Sequence, residues 1–350
     1  QSACVSNRDY GSGEIQMSLY SDRIKKQGLY ELSFQPKSFW EYSRGSRIDK
    51  LIEDTKSFDY TQPMGKGSKF YMDELFSKSA RSVLSKFNSE YAKRIIEMWS
   101  KKGDEIIDPF AGRSSRPLVS TLLERNYIGF DVLKNNLNDA NDQYEVLKKQ
   151  RTMGKLKLIH KSSEFIDEVI SENVADLVMT CPPYYNIEKY GSAEGQLTDI
   201  KTYEDFLESY KIILEKTTKV LKPSGFFVVV VANFRINNKF YDFSSDTKNI
   251  LKKHLTFHDE IILEMSPAKR HALYSQTITN LHCLKAHEYC LVFRKEDTKE
   301  NMIDRNNDIN YNRPLVKDLY PNRETLFWLE KKDWINEMFN DSPNTLDRFF

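Results

Sequence analysis

Four consecutive residues, Cys181-Pro182-Pro183-Tyr184, combine groups suited to chemistry on a flat, conjugated amine. They close the apolar run Leu177-Val178-Met179, which predicts a buried strand whose carboxyl end stands over a crevice. The prolines lock φ and carry no amide hydrogen, so the carbonyls before them are available to accept hydrogen bonds from a ligand. An aromatic ring beside those acceptors can stack on a heterocycle while they draw on the two N–H bonds of an exocyclic amino group. Pro-Pro-Tyr at a strand end is also ordinary loop punctuation, so its meaning rests on what precedes it.

Upstream, Glu105-Ile106-Ile107-Asp108 predicts a second strand ending in an acid, followed by Pro109-Phe110-Ala111-Gly112. A carboxylate there can bind an ammonium or a hydroxyl, and Gly112 lets the backbone approach a ligand closely. Arg113-Ser114-Ser115-Arg116-Pro117 then opens a helical pattern. The next strand, Tyr127 to Val132, carries Asp131 near its end, at about the 20-residue spacing that places a carboxylate on two ribose hydroxyls. Neither G-x-G-x-x-G nor a Walker A lysine is present, which implies a ligand with a ribose and no pyrophosphate.

Together these residues resemble the amino-group DNA methyltransferases that use S-adenosyl-L-methionine. Asp108-Pro-Phe-Ala-Gly112 is similar to their cofactor loop, Gly129-Phe130-Asp131 to their ribose-binding strand end, and Cys181-Pro-Pro-Tyr to their catalytic motif. The string from Cys181 to Tyr190 is closest to the bacteriophage and prophage methylases. Leu84 to Asn88 and Lys285 to Arg294 resemble the same group, and the likeness covers roughly residues 80 to 296. It implies a cofactor site built from Asp108, Phe110, Ala111, Gly112, Ser114, Asp131 and Ser162. Phe87 or Asn88 would pack over the methionine half; for Phe87 a plain core role is equally open. Ser162-Ser163 replaces the family's Gly-Asp, so a serine hydroxyl would stand in for the adenine-contacting acid.

The resemblance also implies a double-stranded DNA partner whose adenine or cytosine is flipped into the pocket. Cys181, Pro182, Pro183 and Tyr184 would be catalytic. Cys181 stands where the family has Asp, Asn or Ser; a thiol accepts weakly, so the main-chain carbonyls of Cys181 and Pro182 take the main role. Tyr184 would stack on the base, worth about 1–3 kcal/mol. A competing mechanism is thiolate attack on a pyrimidine with methylation at carbon-5, but those enzymes lack Cys-Pro-Pro-Tyr and no neighbouring base lowers the thiol pKa. Tyr185, Asn186, Arg235, Lys269, Arg270 and His287 are candidate nucleic-acid contacts; a solvated loop for Lys269 and Arg270 and a buried histidine for His287 are equally open. An RNA amino-methyltransferase and an inactive nucleic-acid-binding subunit are the alternatives, the second opposed by the joint presence of Asp108, Gly112, Asp131 and Pro-Pro-Tyr.

Several elements must position these groups. Strands near 105–109, 127–132, 156–160, 174–181 and 225–234 alternate with helices near 115–125, 134–150, 164–171 and 203–221. That alternation predicts a doubly wound, mostly parallel, seven-stranded Rossmann-like sheet, with strands near 258–265 and 288–295 as its antiparallel edge. A helix from Ser89, with Ser89 as cap, precedes them. Residues 1–75 read as an N-terminal arm with a possible DNA contact through Arg44, Arg47 and Lys50, 76–296 as the catalytic domain, and 297–350 as an appendage.

Net charge is +1, which excludes a general polycation and leaves nucleic-acid binding to local patches. The 19 tyrosines and 21 phenylalanines exceed the needs of a core this size, so some are presented to bases or pack an irregular arm. The 4 cysteines form no Cys-x-x-Cys pair and His282-Cys283 lacks zinc spacing, so no metal is expected. No apolar stretch is long enough for a membrane span, and the amino terminus lacks a signal-type segment, which implies a cytoplasmic protein. Gln1 as first residue implies a lost initiator or leader.

Overall fold

Apolar residues of period two and period 3.6 alternate from residue 89 onward, and the chain folds accordingly. The computed structural model describes residues 38–42, 87–187, 193–265, 281–283 and 285–311. The elements are β1 (Phe39–Trp40), α1 (Ser89–Trp99), β2 (Glu105–Asp108), α2 (Ser115–Leu122), β3 (Asn126–Asp131), α3 (Lys134–Lys148) and β4 (Leu156–His160). Then follow α4 (Ile166–Val169), β5 (Ala175–Thr180), α5 (Tyr203–Val220), β6 (Leu221–Val231), β7 (Phe234–Ile236), β8 (Lys239–Tyr241), α6 (Phe243–Leu251), β9 (Thr256–Glu264), β10 (His287–Arg294) and α7 (Lys299–Tyr311). Gln35–Ile309 forms one compact unit; the other, Gln1–Phe34 with Asn310–Phe350, lies outside the described residues except for Asn310 and Tyr311.

The sheet runs β1-β9-β10-β6-β5-β2-β3-β4. From β6 to β4 all pairings are parallel, while β10 lies antiparallel between β6 and β9. The expectation of seven strands becomes a sheet of eight among the described residues. Phe39–Trp40 adds a short strand parallel to β9, pairing Phe39 with Ile262 and Trp40 with Leu263. Packing explains this addition. Trp40 is buried against Trp99, with ring centroids 6.3 Å apart, and the Tyr91 hydroxyl donates to the carbonyls of Trp40 and Glu264.

Three further local expectations are revised. Asn88, not Ser89, caps α1, its Oδ1 accepting from the amides of Glu90 and Tyr91. The sixth strand starts at Leu221, because Ala175 pairs with Leu221 and Leu177 with Phe226, so the intervening Lys222–Gly225 forms an irregularity inside the pairing. The stretch after β6 contains a hairpin, β7–β8, and helix α6, neither marked by strong periodicity. Asp242 caps α6 by accepting from the Ser245 amide. No helix among the described residues is long and apolar enough to cross a membrane.

The chain runs β2-β3-β4 to one side of β2 and then returns to β5 on the other. The carboxyl ends of β2 and β5 therefore flank the switch point, where an open parallel sheet leaves its crevice. Gly129 sits at the tightest approach of strand to cofactor loop. A Cβ there would lie 2.7 Å from both Ala111 Cβ and Tyr127 Cε1.

Gly129→Ala should accordingly push the 109–112 loop off β3 and cost about 1–3 kcal/mol of stability. Denaturant unfolding read by fluorescence checks this, and a variant as stable as the parent would show that the loop has room to move.

Candidate active site

A cavity of about 360 Å³ runs along the carboxyl edge of the sheet, a size typical of small-molecule sites. On one side it is lined by Asp131, Phe130 and Leu133, and on the other by Glu264 and Glu288. Between them lie Pro109, Phe110 and Gly112 after β2, and Cys181, Pro182, Pro183 and Tyr184 after β5. Phe87 and Asn88 complete the wall, with Ser162 beside Gly195. Residues from widely separated stretches of chain thus share one space.

The structure corrects the role expected of Asp108. Its side chain is fully buried and its two oxygens are already engaged. Oδ1 accepts from the Thr180 hydroxyl at 2.6 Å and the Phe110 amide at 2.9 Å. Oδ2 accepts from Arg116 Nε at 2.6 Å and the Tyr127 hydroxyl at 2.8 Å. No face is left for a ligand ammonium, so Asp108 positions the loop and does not bind the cofactor. Burial opposes the Arg116 charge, but neighbouring Asp108 outweighs it and holds the guanidinium protonated. Arg116 Nη2 also donates to the Phe110 and Ala111 carbonyls, and the guanidinium lies over the Phe87 ring.

Two other expected cofactor residues are likewise covered. Ala111 is buried, its amide donating to the Phe130 carbonyl at 2.8 Å. Ser114 is buried at the start of α2 and makes no side-chain cap. Neither lines the cavity. Gly112 does so with φ at +57°, a conformation that favours glycine.

Asp131 remains open to the cavity. Its Oδ2 accepts from the Gly112 amide at 2.9 Å and Asn136 Nδ2 at 3.3 Å, and Oδ1 from the Leu133 amide at 2.7 Å. A carboxylate offers about four lone-pair positions, so acceptor capacity is left for ligand hydroxyls. Burial raises its pKa, against the opposing hydrogen bonds from Leu133, Asn136 and Gly112. Ser162 caps the short 3₁₀ turn at Ser163–Phe165, and Ser163 Oγ ties that turn to the Pro109 carbonyl. A half-buried acid that opens on the cavity for ribose, the apolar walls of Phe110, Phe130 and Leu197, and a serine hydroxyl form a lining that fits S-adenosylmethionine.

After β5 the chain turns so that adjacent tyrosines part. The half-buried Tyr184 ring lines the cavity and packs edge-on against Phe243 with centroids 6.0 Å apart. Tyr185 is only 8% exposed, donates to the Lys201 carbonyl at 2.6 Å, and packs among Tyr203, Phe206 and Tyr241. Its expected nucleic-acid role is replaced by packing. Asn186 is an exposed turn residue with φ at +45° and does not line the cavity. His287 lies against Tyr289 outside the cavity, its pKa lowered by burial and then by Lys285; the cavity residue is its neighbour Glu288.

Arg235, a candidate nucleic-acid contact, does not line the cavity. It is exposed on the β7–β8 hairpin, stacked over Phe240 with Nη1 donating to the Asn238 carbonyl. Lys269, Arg270 and the N-terminal Arg44, Arg47 and Lys50 lie outside the described residues. Sequence reasoning missed Arg116, Thr180, Tyr91, Glu264 and Glu288, whose partners are distant in the chain. No group of ligands that could hold a metal occurs among the described residues.

The sequence matches the model of the N6/N4 methyltransferase family, described as DNA methylase, over residues 20–142 and 175–347. A search of curated proteins finds no match. Among solved structures, the chain is similar to NSun6 from Pyrococcus horikoshii with SFG (16% identity, TM-score 0.42, covering 61% of this chain and 53% of that one). It is also similar to an rRNA methylase from Streptococcus thermophilus (11%, TM-score 0.37, 60% and 94%). A third is a TehB-like SAM-dependent methyltransferase from Corynebacterium glutamicum (12%, TM-score 0.38, 61% and 90%).

The raised pKa of Asp131 and its place on the cavity wall predict a pH dependence of cofactor binding. Because its pKa is raised, the charged acceptor is lost on acidification at a higher pH than for a solvated aspartate. Affinity for S-adenosylmethionine should be full at neutral pH and fall as pH drops through that value. Asp131→Asn should weaken binding by about 1–3 kcal/mol at neutral pH and flatten the acid limb, both read by calorimetry. Unchanged affinity would remove Asp131 from the site.

Proposed function

Since this chain belongs to the N6/N4 methyltransferase family of DNA methylases, we propose that it methylates the exocyclic amino group of adenine or cytosine in a base flipped from duplex DNA. S-adenosylmethionine, the methyl donor of the family, supplies an electrophilic methyl on a sulfonium. The observation that most supports this reading is that one cavity holds both the Asp131 end and the Cys181–Tyr184 end. Methyl donor and acceptor amine can therefore meet without crossing solvent.

The residues act by positioning. Asp131 receives the ribose hydroxyls, Phe110 and Leu197 flank the adenine, and Phe87 and Asn88 close over the methionine half. An aromatic amine is a poor nucleophile because its lone pair is conjugated with the ring. Carbonyls of Cys181 and Pro182 accept its hydrogens and orient the lone pair toward the methyl, which is mostly a matter of geometry and stabilisation of developing positive charge. Tyr184, braced by Phe234 and Phe243, supplies a stacking face for the base.

The β7–β8 hairpin offers a duplex contact. Its eight residues carry Arg235 and Lys239 and no acid, Phe240 is 51% exposed, and Phe234 at its base packs on Tyr184. Cations beside an exposed ring suit phosphates and an unstacked base.

Incubation with labelled cofactor and either duplex DNA or RNA, followed by nucleoside mass spectrometry, tests the reading. N6-methyladenine or N4-methylcytosine from DNA is expected; label confined to RNA or at carbon-5 overturns it. Tyr184→Ala should lower kcat about 5- to 150-fold with cofactor affinity kept, and the defect should shrink on single-stranded DNA, where flipping costs less. Proportional loss of cofactor affinity would make Tyr184 a packing residue. Cys181→Ser should retain methyl transfer, since hydroxyls accept better than thiols; complete loss, with a trapped adduct on 5-fluorocytosine DNA in the parent, would indicate thiolate chemistry instead.

A further inference from the structure

At the place where the motif would offer a side-chain acceptor for the target amine, this chain has a thiol. Thiols accept hydrogen bonds weakly. The cavity brings a carboxylate to the same place from another strand. Glu288, the second residue of β10, lines the cavity with Cys181, Pro182 and Tyr184, and the Tyr184 hydroxyl lies 3.5 Å from its Oε1. Topology accounts for this. Because β10 runs antiparallel between β9 and β6, its amino end shares the sheet edge with the carboxyl end of β5. β10 and β5 are two strands apart, about 10 Å between backbones, a gap that the Glu288 and Tyr184 side chains bridge. Glu264 is on the same wall, and its Oε2 accepts from the Tyr42 amide at 2.9 Å.

Resting on the methyl-transfer reading above, we propose that Glu288 is the second acceptor of the target amine and supplies the carboxylate that Cys181 replaces. A base stacked on Tyr184 has its edge over the perimeter of that ring. Glu288 reaches the hydroxyl end of that ring, and Cys181 and Pro182 line the same cavity. One amino hydrogen is shared by the Cys181 and Pro182 carbonyls and the other goes to Glu288, which pulls the nitrogen out of conjugation. The nitrogen–carbon bond forms as the methyl–sulfur bond breaks, its electron pair staying on sulfur. Glu288 stabilises the charge arising on nitrogen, takes the surplus proton and passes it to water. The same carboxylate repels a base that presents a keto oxygen there, so it selects for an amino edge.

Glu288→Gln keeps the size and an oxygen acceptor but removes the charge and the proton sink. In the full chain it should lower kcat about 10- to 100-fold, with S-adenosylmethionine Kd and melting temperature unchanged. Glu288→Ala should regain activity on addition of formate, a response that a purely structural role would not give. Wild-type kcat in Glu288→Gln, or a loss that tracks cofactor affinity or melting temperature, overturns the proposal while leaving the methyl-transfer reading intact. A wild-type chain that methylates no nucleic-acid amine removes that reading, and the role of Glu288 falls with it.

Discussion

A single buried carboxylate, Asp108, holds the ends of three strands and the first turn of a helix in one arrangement. Removing a carboxylate from water costs several kcal/mol, recovered only where geometry is good and every oxygen is satisfied. Here the donors come from Thr180 at the end of β5, Tyr127 on β3, Arg116 in α2 and the Phe110 amide of the loop itself. Burial first, and then the Asp108 charge, push the Tyr127 hydroxyl pKa well up, so it stays a donor. Each partner fixes a different piece of the cavity wall. The interaction therefore sets where Asp131, the cofactor loop and Cys181 stand relative to one another, although Asp108 itself does not line the cavity.

Around that anchor, sheet topology decides what can meet. The switch point between β2 and β5 opens the crevice, and the antiparallel β10 returns its amino end to the same edge. A parallel strand at that position would present its carboxyl end there, and Glu288 would lie at the far side of the molecule. The cavity thus runs from Asp131 to Glu288 with the Pro-Pro-Tyr turn near its middle. This order suits a donor on one side and an acceptor on the other.

Among the described residues the aromatic side chains are mostly structural. Tyr185, Tyr203, Phe206, Tyr210, Phe234, Tyr241 and Phe243 pack into a continuous cluster behind the turn after β5. Such rings bury large areas and interlock edge to face, which stiffens the loop carrying Tyr184. Tyr184 and Tyr185 are neighbours of the same chemistry with opposite fates. The first is seated by its edge and keeps its ring in the cavity, while the second is sealed by its hydroxyl bond to Lys201.

Much of this was legible in the residues alone, because it depends on local rules. Period-two and period-3.6 patterns marked the strands and most helices, and acids or Pro-Pro-Tyr at strand ends marked the edge where a ligand sits. Hairpin β7–β8, helix α6 and strand β1 escaped because their signals are short and their stability comes from distant packing partners. Asp108 and Asp131 read identically in the chain, as acids at the carboxyl ends of successive strands. Their division of labour, one closed and one open, follows from whether Arg116, Tyr127 and Thr180 reach the oxygens first. Such donors are brought together by folding, not by sequence neighbourhood. The same holds for Glu288, whose residue type was plain in the chain but whose place beside Tyr184 exists only once the antiparallel strand has folded back against the parallel sheet.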